Sequence, residues 1–418
     1  MEKHTMTNNS TILRAAHKAW ASAASLRAHR LRNKQFTYGD QWIDMVVNHQ
    51  GQRMSEWQHY CDGDGSPITN NVLRQLVKTI VGRFRSQYMN GRQKIDYIVM
   101  NHNEVDHSGA LPELMREIPN VPIYCTKKGE AIIRGHYHQE WNFVNVKTGD
   151  TLDLGDSKLT FIEASMLHWP DTMFTYMSGE NILFSNDAFG QHFASESLYN
   201  NNVPQDDLYF ETAKYYTNIL NLYSPMVNRK VKELMAMNLP IDLICPSHGI
   251  IWKENPMQVV ETYLKWSQAY QENQITLVYD TMWNSTRRMA EAIAEGIMQA
   301  DGEVTVKLMN ASKDDKNDIL TEIFKSKAIL VGSPTINNGF SFAIAGLLEM
   351  ARGLKFKNKK AAAFGSYGWG GEATKLITEH LKQSGFEVVN DGIKKQWVPN
   401  EETLAECTEF GKQFIASL

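Results

Sequence analysis

Seven side chains of the types that bind metal ions fall in four short clusters along this chain of 418 residues. Each cluster follows an apolar run that ends in a polar turn, which is typical of a strand and the loop after it. Together they supply four imidazoles and three carboxylates, and the three negative charges plus one bridging hydroxide would balance two divalent ions. We therefore predict that one edge of a sheet gathers them into a two-metal centre. The seven residues are His102, Glu104, Asp106, His107, His168, Asp187 and His248.

The first cluster lies in the segment NHNEVDH. Alternation along an extended strand would project His102, Glu104 and Asp106 to the same side, and a turn at the strand end could bring His107 round as well. At these residues the chain resembles the flavodiiron proteins, whose catalytic domain has the metallo-β-lactamase fold. Hydrolases of that fold usually carry His where Glu104 stands and bind zinc, whereas an extra oxygen ligand suits iron better.

The resemblance implies that the seven side chains bind two iron ions, with Asp187 as the bridge. It divides the other six into His102, Glu104 and His168 for one ion and Asp106, His107 and His248 for the other. A water takes the place of His107 in some family members. The implied activity is that of an oxidoreductase that reduces O2 to water, NO to N2O, or both, with electrons delivered through FMN.

The second half of the chain carries a different set of motifs. The segment ITLVYDTMWNSTRRMAEAIAEGI indicates a strand, a hydroxyl-rich loop and a helix, which together place loop amides at a helix N-terminus suited to a phosphate. It has neither the Gly-Lys-Ser/Thr of a nucleotide-binding P-loop nor a Gly-x-Gly-x-x-Gly, so a monophosphate fits better than ATP or NAD. This half resembles a flavodoxin, in which FMN lies at the carboxyl ends of parallel strands.

The flavodoxin resemblance implies FMN contacts from three loops. The first would bind the phosphate, and the other two would contact the isoalloxazine and ribityl groups. Trp369 is the stacking candidate, with ordinary loop packing as the alternative. The implied residues are Thr281, Met282, Trp283, Asn284, Ser285 and Thr286 in the first loop, Pro334, Thr335, Ile336, Asn337 and Asn338 in the second, and Ser366, Tyr367, Gly368, Trp369, Gly370 and Gly371 in the third.

These motifs predict an α/β protein with two domains. Residues 95–270 would form a metallo-β-lactamase-like αββα domain that holds the metal ligands. Residues 255–273 read as a helix leading into the second domain. Residues 274–418 alternate five apolar strands with helical stretches, which predicts a flavodoxin-like, doubly wound parallel sheet that binds FMN.

Residues 1–94 do not fit the resemblance. Family members open with several strands, whereas this segment reads as helical, so the usual N-terminal strands of the domain would be missing or replaced. It is also basic, with 14 Lys or Arg against 6 Asp or Glu, a net charge of +8 in a chain whose total is −4. Two interpretations stay open, a solvated helical extension and a fused unrelated segment that resembles the start of a phage portal protein.

The composition and the cysteine spacing predict where the protein is located and which partners it has. With 42% hydrophobic residues the chain can bury two cores, and it has neither an apolar run approaching ~18 residues nor a signal peptide, which predicts a cytoplasmic protein without a membrane partner. No nucleic-acid partner is predicted. The four cysteines form no Cys-x-x-Cys pair, which argues against a built-in rubredoxin module, so electrons would come from an external donor such as rubredoxin or a rubredoxin-like reductase. The resemblance also implies a head-to-tail homodimer.

Two alternative functions remain open. A zinc-dependent hydrolase of the metallo-β-lactamase fold would use a metal-bound hydroxide as nucleophile, but it would give no role to a flavodoxin domain. A flavodoxin-type electron carrier with a non-functional metal domain would result if residues 1–94 cannot replace the missing strands. Metal and flavin content would separate these alternatives from the reductase.

Overall fold

The computed structural model describes residues 95–155, 157–195 and 197–418. The predictions for residues 1–94 therefore lie outside the described residues. The chain divides into two compact units. The first unit comprises Pro225–Leu264 and the described residues up to Tyr215, and the second unit comprises Tyr216–Ser224 and Lys265–Leu418. Within the described part, no helix is both long and apolar enough to cross a lipid bilayer.

The first unit contains two sheets. Strands β1, β2 and β3 form a parallel sheet in that order. Strands β4 to β8 form a second sheet in chain order, antiparallel except for the parallel pair β7 and β8. Since β5 and β7 both run antiparallel to β6, the carboxyl ends of β5, β7 and β8 share one edge. The strands are β1 Ile98–Val99, β2 Ile123–Cys125, β3 Phe143–Asn145, β4 Thr151–Asp153, β5 Lys158–Glu163, β6 Met173–Ser178, β7 Ile182–Asn186 and β8 Leu243–Pro246.

Six α-helices belong to the part of the described chain before Glu272, where the next strand begins. The third of them is capped at its start by Thr126, whose hydroxyl accepts a hydrogen bond from Gly129 N, as in a regular N-cap. The helices are α1 Val105–Ser108, α2 Leu111–Glu117, α3 Lys127–Tyr137, α4 Gln205–Tyr215, α5 Ser224–Ala236 and α6 Met257–Trp266.

The helix predicted for residues 255–273 is shorter in the structure. It ends at Trp266, and the next strand begins at Glu272. The chain leaves the helix through Ala269, which has the left-handed φ of 55° that a continuing helix does not allow. The long prediction was therefore wrong at its C-terminal end.

The second unit contains one parallel sheet of six strands. Its order is β10, β9, β11, β12 and β13, with β14 also paired to β12. This order is that of a flavodoxin-like fold, and the prediction of a doubly wound sheet is confirmed. The strands are β9 Glu272–Tyr279, β10 Thr305–Asn310, β11 Ser326–Gly332, β12 Lys360–Tyr367, β13 Glu387–Val388 and β14 Ile393–Gln396, and the helices are α7 Ser285–Ala300, α8 Lys316–Lys325, α9 Phe342–Leu354, α10 Ala373–Gln383 and α11 Glu401–Ala416.

The last predicted strand is split into β13 and β14. Gly392 lies between them with a φ of 80°, and a Cβ at this position would lie 2.3 Å from Ala363 O. A turn in which Asn390 Oδ1 accepts from Gly392 N, at 2.9 Å, interrupts the pairing with β12. The apolar pattern alone does not show this interruption.

Helices α7 and α11 approach each other through two glycines. A Cβ on Gly296 would lie 1.9 Å from Thr408 O, and a Cβ on Gly411 would lie 2.2 Å from Ile293 O. No side chain fits at either position, so the backbones are in direct contact. This crossing covers a core that includes the fully buried Ile293.

Two lysines lie at the amino-terminal edge of the same sheet. Lys359 Nζ is buried and donates to the carbonyls of Phe324 at 2.7 Å, Ser326 at 2.6 Å and Tyr270 at 3.2 Å. Burial lowers the pKa of Lys359 to about 7, although three carbonyl acceptors match the three N–H groups of the charged form.

The neighbouring Lys360 begins β12. Its Nζ donates to Ser417 O at 2.6 Å and to Leu418 O at 3.2 Å. The residues after α11 are therefore held at the edge of the sheet where the parallel strands start.

Candidate metal centre and flavin site

The first ligand cluster follows β1. His102 and Glu104 lie in the irregular segment after this strand, whereas Asp106 and His107 lie on α1, a single helical turn that starts at Val105. The predicted alternation along one extended strand is therefore wrong for Asp106. The helical turn, which has a different periodicity from a strand, brings Asp106 and His107 beside the other two.

The other three candidates follow strands of the five-stranded sheet. His168 lies in the loop after β5, Asp187 comes directly after β7, and His248 comes two residues after β8. These are the three strands whose carboxyl ends share an edge. The first cluster, however, follows a strand of the three-stranded sheet, so the prediction of a single sheet edge is wrong. The seven side chains meet where the edges of two sheets come together.

Asp187 lies at the middle of the seven side chains, with 2% of its side chain exposed. Its Oδ2 is 2.9 Å from His168 Nε2 and 3.4 Å from His102 Nε2. Its Oδ1 is 2.9 Å from His107 Nε2 and 3.4 Å from His248 Nε2. Each oxygen of one carboxylate therefore faces a different pair of imidazoles.

A second carboxylate completes each pair. Glu104 Oε2 is 3.4 Å from His102 Nε2 and 3.3 Å from His168 Nε2. Asp106 Oδ2 is 3.3 Å from both His107 Nε2 and His248 Nε2. Two groups of possible ligand atoms result, each with all atoms within 4.8 Å of one another. They are His102, Glu104, His168 and Asp187 in one group, and Asp106, His107 and His248 in the other.

Two buried atoms of the site are left without hydrogen bonds. His107 Nε2 and Asp187 Oδ1 are 2.9 Å apart, yet neither has a hydrogen-bond partner. A cation that both atoms bind would satisfy them. A set of imidazoles and carboxylates without thiolates suits iron.

The charges in the two groups are strongly coupled. Burial disfavours the charged form of His102, but hydrogen bonds to Asp171 and Glu104 and the charge of Asp187 raise its pKa to about 9. Carboxylates likewise overcome burial and raise the pKa of His168 to about 9 and of His248 to about 10. Hydrogen bonds to His102 and His168 lower the pKa of Glu104 to about 2. Metal binding to these imidazoles would release protons.

The three flavin loops follow adjacent parallel strands. Residues 281–286 follow β9 and enter α7, residues 334–338 follow β11, and residues 366–371 start at the end of β12. Thr335 N donates to Ser366 O at 2.9 Å, and the hydroxyls of Thr286 and Ser366 are 2.8 Å apart. The loops are therefore joined at the carboxyl edge of the sheet, where a flavodoxin-like fold binds its ligand.

The first of these loops has the features of a phosphate site. Helix α7 starts after Asn284, which has a left-handed φ of 64° and makes no side-chain cap. The first N–H groups of this helix are therefore left open to an anion. Thr281 Oγ1 is buried and has no hydrogen-bond partner. These polar groups fit a phosphate group.

Two tryptophans of the loops are exposed to an unusual degree. Trp283 is 83% exposed and Trp369 is 82% exposed, on the first and third loops. Aromatic side chains normally bury most of their large apolar surface. Flat faces left open beside a phosphate site suit a planar ring system such as isoalloxazine.

Comparison with known proteins gives matches over both halves. Residues 277–411 match the family described as flavodoxin, and residues 67–249 match the ODP family beta lactamase. The anaerobic nitric oxide reductase flavorubredoxin of Vibrio vulnificus (strain YJ016) is 51% identical over 366 residues, which cover 85% of this chain and 74% of the relative. The chain belongs to the flavodiiron protein family.

Solved structures agree with this assignment. Rubredoxin oxygen:oxidoreductase from Desulfovibrio gigas is 35% identical, with a TM-score of 0.74 over 78% of this chain and 81% of the other. The flavodiiron protein from Giardia intestinalis is 30% identical, with a TM-score of 0.77 over 82% of this chain and 84% of the other. This flavodiiron protein is an oxidoreductase whose cofactors are FMN and two iron ions, and the predicted combination of folds is confirmed.

Sequence reasoning missed one buried acid of this flavodiiron protein. Asp171 is 1% exposed, and its Oδ1 is 3.3 Å from His102 Nδ1. The hydrogen bond to His102 helps to lower the pKa of Asp171 against the opposing effect of burial. Its position three residues after His168, in HWPD, was the available signal.

Two aromatic residues beside the second ligand group were also missed. The ring of His192 lies 5.4 Å from that of His248 and 5.0 Å from that of Tyr215. Burial raises the pKa of Tyr215 well above its usual value, so its phenol keeps its proton at neutral pH. No motif in the sequence marks either residue.

Proposed function

We propose that this flavodiiron protein reduces NO to N2O at a diiron centre bound by the seven clustered side chains. His102, Glu104 and His168 would bind one iron, Asp106, His107 and His248 the other, and Asp187 would bridge them. The observation that carries this proposal is the position of Asp187, because each of its oxygens closes one of two groups made of two imidazoles and a carboxylate.

The choice of NO rests on the relatives. The curated relatives that are 48 to 51% identical to this chain are named anaerobic nitric oxide reductases. Reduction of O2 to water is the second candidate, and the name of the Desulfovibrio gigas structure, at 35% identity, supports it. The two reactions differ in the electrons and protons they consume, because reduction of two NO needs two electrons and two protons, whereas reduction of one O2 needs four of each.

The side chains of the site have separable roles in this reaction. The iron pair, when bound, supplies the electrons and the adjacent positions for two substrate molecules. Glu104 and Asp106, with side chains 38% and 50% exposed, lie on the open side of the site, whereas Asp187 and His102 close its buried side. The ring of Tyr215 lies 6.1 Å from that of His248, and its protonated phenol would serve as a hydrogen-bond donor beside this group.

We further propose that FMN binds in the three loops of the second unit. Thr281, Asn284, Ser285, Thr286 and the start of α7 would bind the phosphate, with Met282 and Trp283 beside it. Supporting evidence is the uncapped helix start and the unpartnered Thr281 hydroxyl. The ring and ribityl contacts would come from residues 334–338 and 366–371, with stacking on Trp369.

The remaining partners are proposals from the family. The names of the relatives support a rubredoxin-type electron donor. We also propose a head-to-tail homodimer and a cytoplasmic location. The two domains are proposed as residues 95–270 and 274–418, and the passage of the chain from one compact unit to the other at residues 264 and 265 supports a boundary in this part of the chain.

The decisive experiment measures turnover of the purified chain with NO and O2 supplied separately. FMN and iron are first quantified, and the protein is then given a reduced rubredoxin and either NO or O2. We expect one FMN and two irons per chain, N2O formation at half the rate of NO loss, and slower O2 consumption. Two zinc ions without NO loss would favour the hydrolase, and FMN without metal would favour the electron carrier. Faster O2 than NO consumption would favour the oxygen reductase.

A further inference from the structure

The buried carboxylate of Asp171 connects three segments of the first unit. Its Oδ2 accepts from Asn103 N at 2.9 Å and from Asn103 Nδ2 at 2.8 Å. Its backbone carbonyl accepts from Thr126 Oγ1 at 3.0 Å, and Thr126 in turn caps α3. The segment after β1, the start of α3 and the loop before β6 are thereby fixed to one another.

Asp171 Oδ1 is left for His102. The two ring nitrogens of His102 face opposite ways, since Nδ1 is 3.3 Å from Asp171 and Nε2 faces Glu104 and Asp187. A carboxylate can only accept a hydrogen bond, so it holds the proton of the neutral ring on Nδ1 and leaves the Nε2 lone pair free. A metal ion needs that lone pair.

Within the part of the chain that the structure describes, the other three imidazoles lack this support. Among the described residues, every carboxylate contact of His107, His168 and His248 is made by Nε2. An anionic partner on the far side of the ring raises the basicity of a ligand imidazole. Within the described ranges, only the group that contains His102 therefore has a carboxylate on the far side of one of its imidazoles.

We infer that Asp171 is a positioning residue that holds His102 for metal binding and makes the group of His102, Glu104, His168 and Asp187 the stronger of the two metal sites. This inference rests on the proposed metal centre. It concerns the unequal strength of the two sites, which the family membership does not specify.

The substitution Asp171→Asn tests the inference because it changes charge with almost no change in shape. The amide cannot satisfy all its neighbours. If its NH2 group faces Asn103, three donor groups meet. If the NH2 group faces His102, it requires Nδ1 to be the acceptor and moves the ring proton to Nε2, where the metal should bind. The first arrangement keeps an acceptor for Nδ1 but removes the negative charge that raises the basicity of the ring, and the second removes the acceptor, so both weaken this metal site.

Co2+ is a suitable probe, because its visible absorption reports coordination without turnover. The metal-free full-length chain is titrated in two backgrounds that each keep one group. In His248→Ala, where the Asp171-supported group remains, we expect Asp171→Asn to weaken Co2+ binding roughly 10- to 100-fold. In His168→Ala, where the unsupported group remains, the same change should leave the affinity unaltered.

Two further variants separate positioning from folding. Thr126→Val removes the α3 cap and the hydrogen bond to the Asp171 carbonyl, which lowers stability, but keeps the carboxylate. It should melt earlier and bind Co2+ as before. Asp171→Glu keeps the charge in a tight site, so it should lower thermal stability but retain tighter Co2+ binding than Asp171→Asn in the His248→Ala background.

The outcomes are distinct. Equal Co2+ affinity with and without Asp171→Asn in the His248→Ala background would overturn the inference, as would the same weakening in both backgrounds. If the unsubstituted chain does not bind two Co2+ ions at all, the proposed metal centre fails first, whatever Asp171 does.

Discussion

The substitution Asp187→Asn should remove one iron from the centre. Each oxygen of Asp187 lies 2.9 Å from one imidazole and 3.4 Å from another, and its side chain is 2% exposed. Losing the charged partner of a buried pair costs ~3–5 kcal/mol. At 1.4 kcal/mol for each tenfold change, the weaker iron should bind on the order of 100- to 5,000-fold less tightly.

The assay is the iron-to-FMN ratio after gel filtration in the presence of an iron chelator. We expect two irons per FMN in the unsubstituted protein and one or fewer in Asp187→Asn, with N2O formation lost and the flavin spectrum unchanged. Asp153→Asn, at an exposed carboxylate on β4, is the matched control and should keep both irons. Two irons per FMN and normal turnover in Asp187→Asn would refute the bridging role.

Three further predictions concern other parts of the chain. Glu104→His recreates the hydrolase-type cluster and should shift metal content toward zinc and abolish turnover, as measured by elemental analysis after growth with both metals; an unchanged ratio would show that this carboxylate does not select the metal. Gly296→Ala forces a Cβ against Thr408 O and should lower the unfolding free energy of the second unit by ~1–3 kcal/mol. Gly346→Ala, on an exposed helix position with open space, should raise this free energy by up to ~1 kcal/mol. Thermal release of FMN reports both effects, and equal effects would contradict the close helix contact. The pKa of Lys359 is lowered to about 7 from 10.5, so the unfolded chain binds more protons between these values and the stability of the second unit should rise with pH across that window. Urea unfolding of Lys359→Met should show no such rise. An equal rise in the variant would show that Lys359 stays charged in the folded protein.

Local signals in the sequence were enough to place most of the candidate ligands. His168, Asp187 and His248 each follow an apolar run, and the carboxyl ends of β5, β7 and β8 do share an edge. The five-strand pattern of the second half also predicted its parallel sheet. In these cases one strand and its following loop contain the whole signal.

The features that sequence missed depend on long-range pairing. His102 and Asp171 are 69 residues apart in the chain, and nothing local distinguishes this acid from a polar turn residue. The separation of β1 from the five-stranded sheet depends on which strands pair, which the apolar pattern leaves undetermined. The helical turn that holds Asp106 is too short to show a 3.6-residue period.

The contact of Lys360 with the last two residues determines how long a linker a domain fused after Leu418 would need. It places Leu418 beside the start of β12, a strand of 8 residues whose far end carries the third flavin loop. At ~3.3 Å per residue the strand separates the two by roughly 25 Å. A flexible linker spans about 5–6 Å times the square root of its length, so an electron-donor domain fused after Leu418 would need about 20 linker residues to reach the flavin of the same chain.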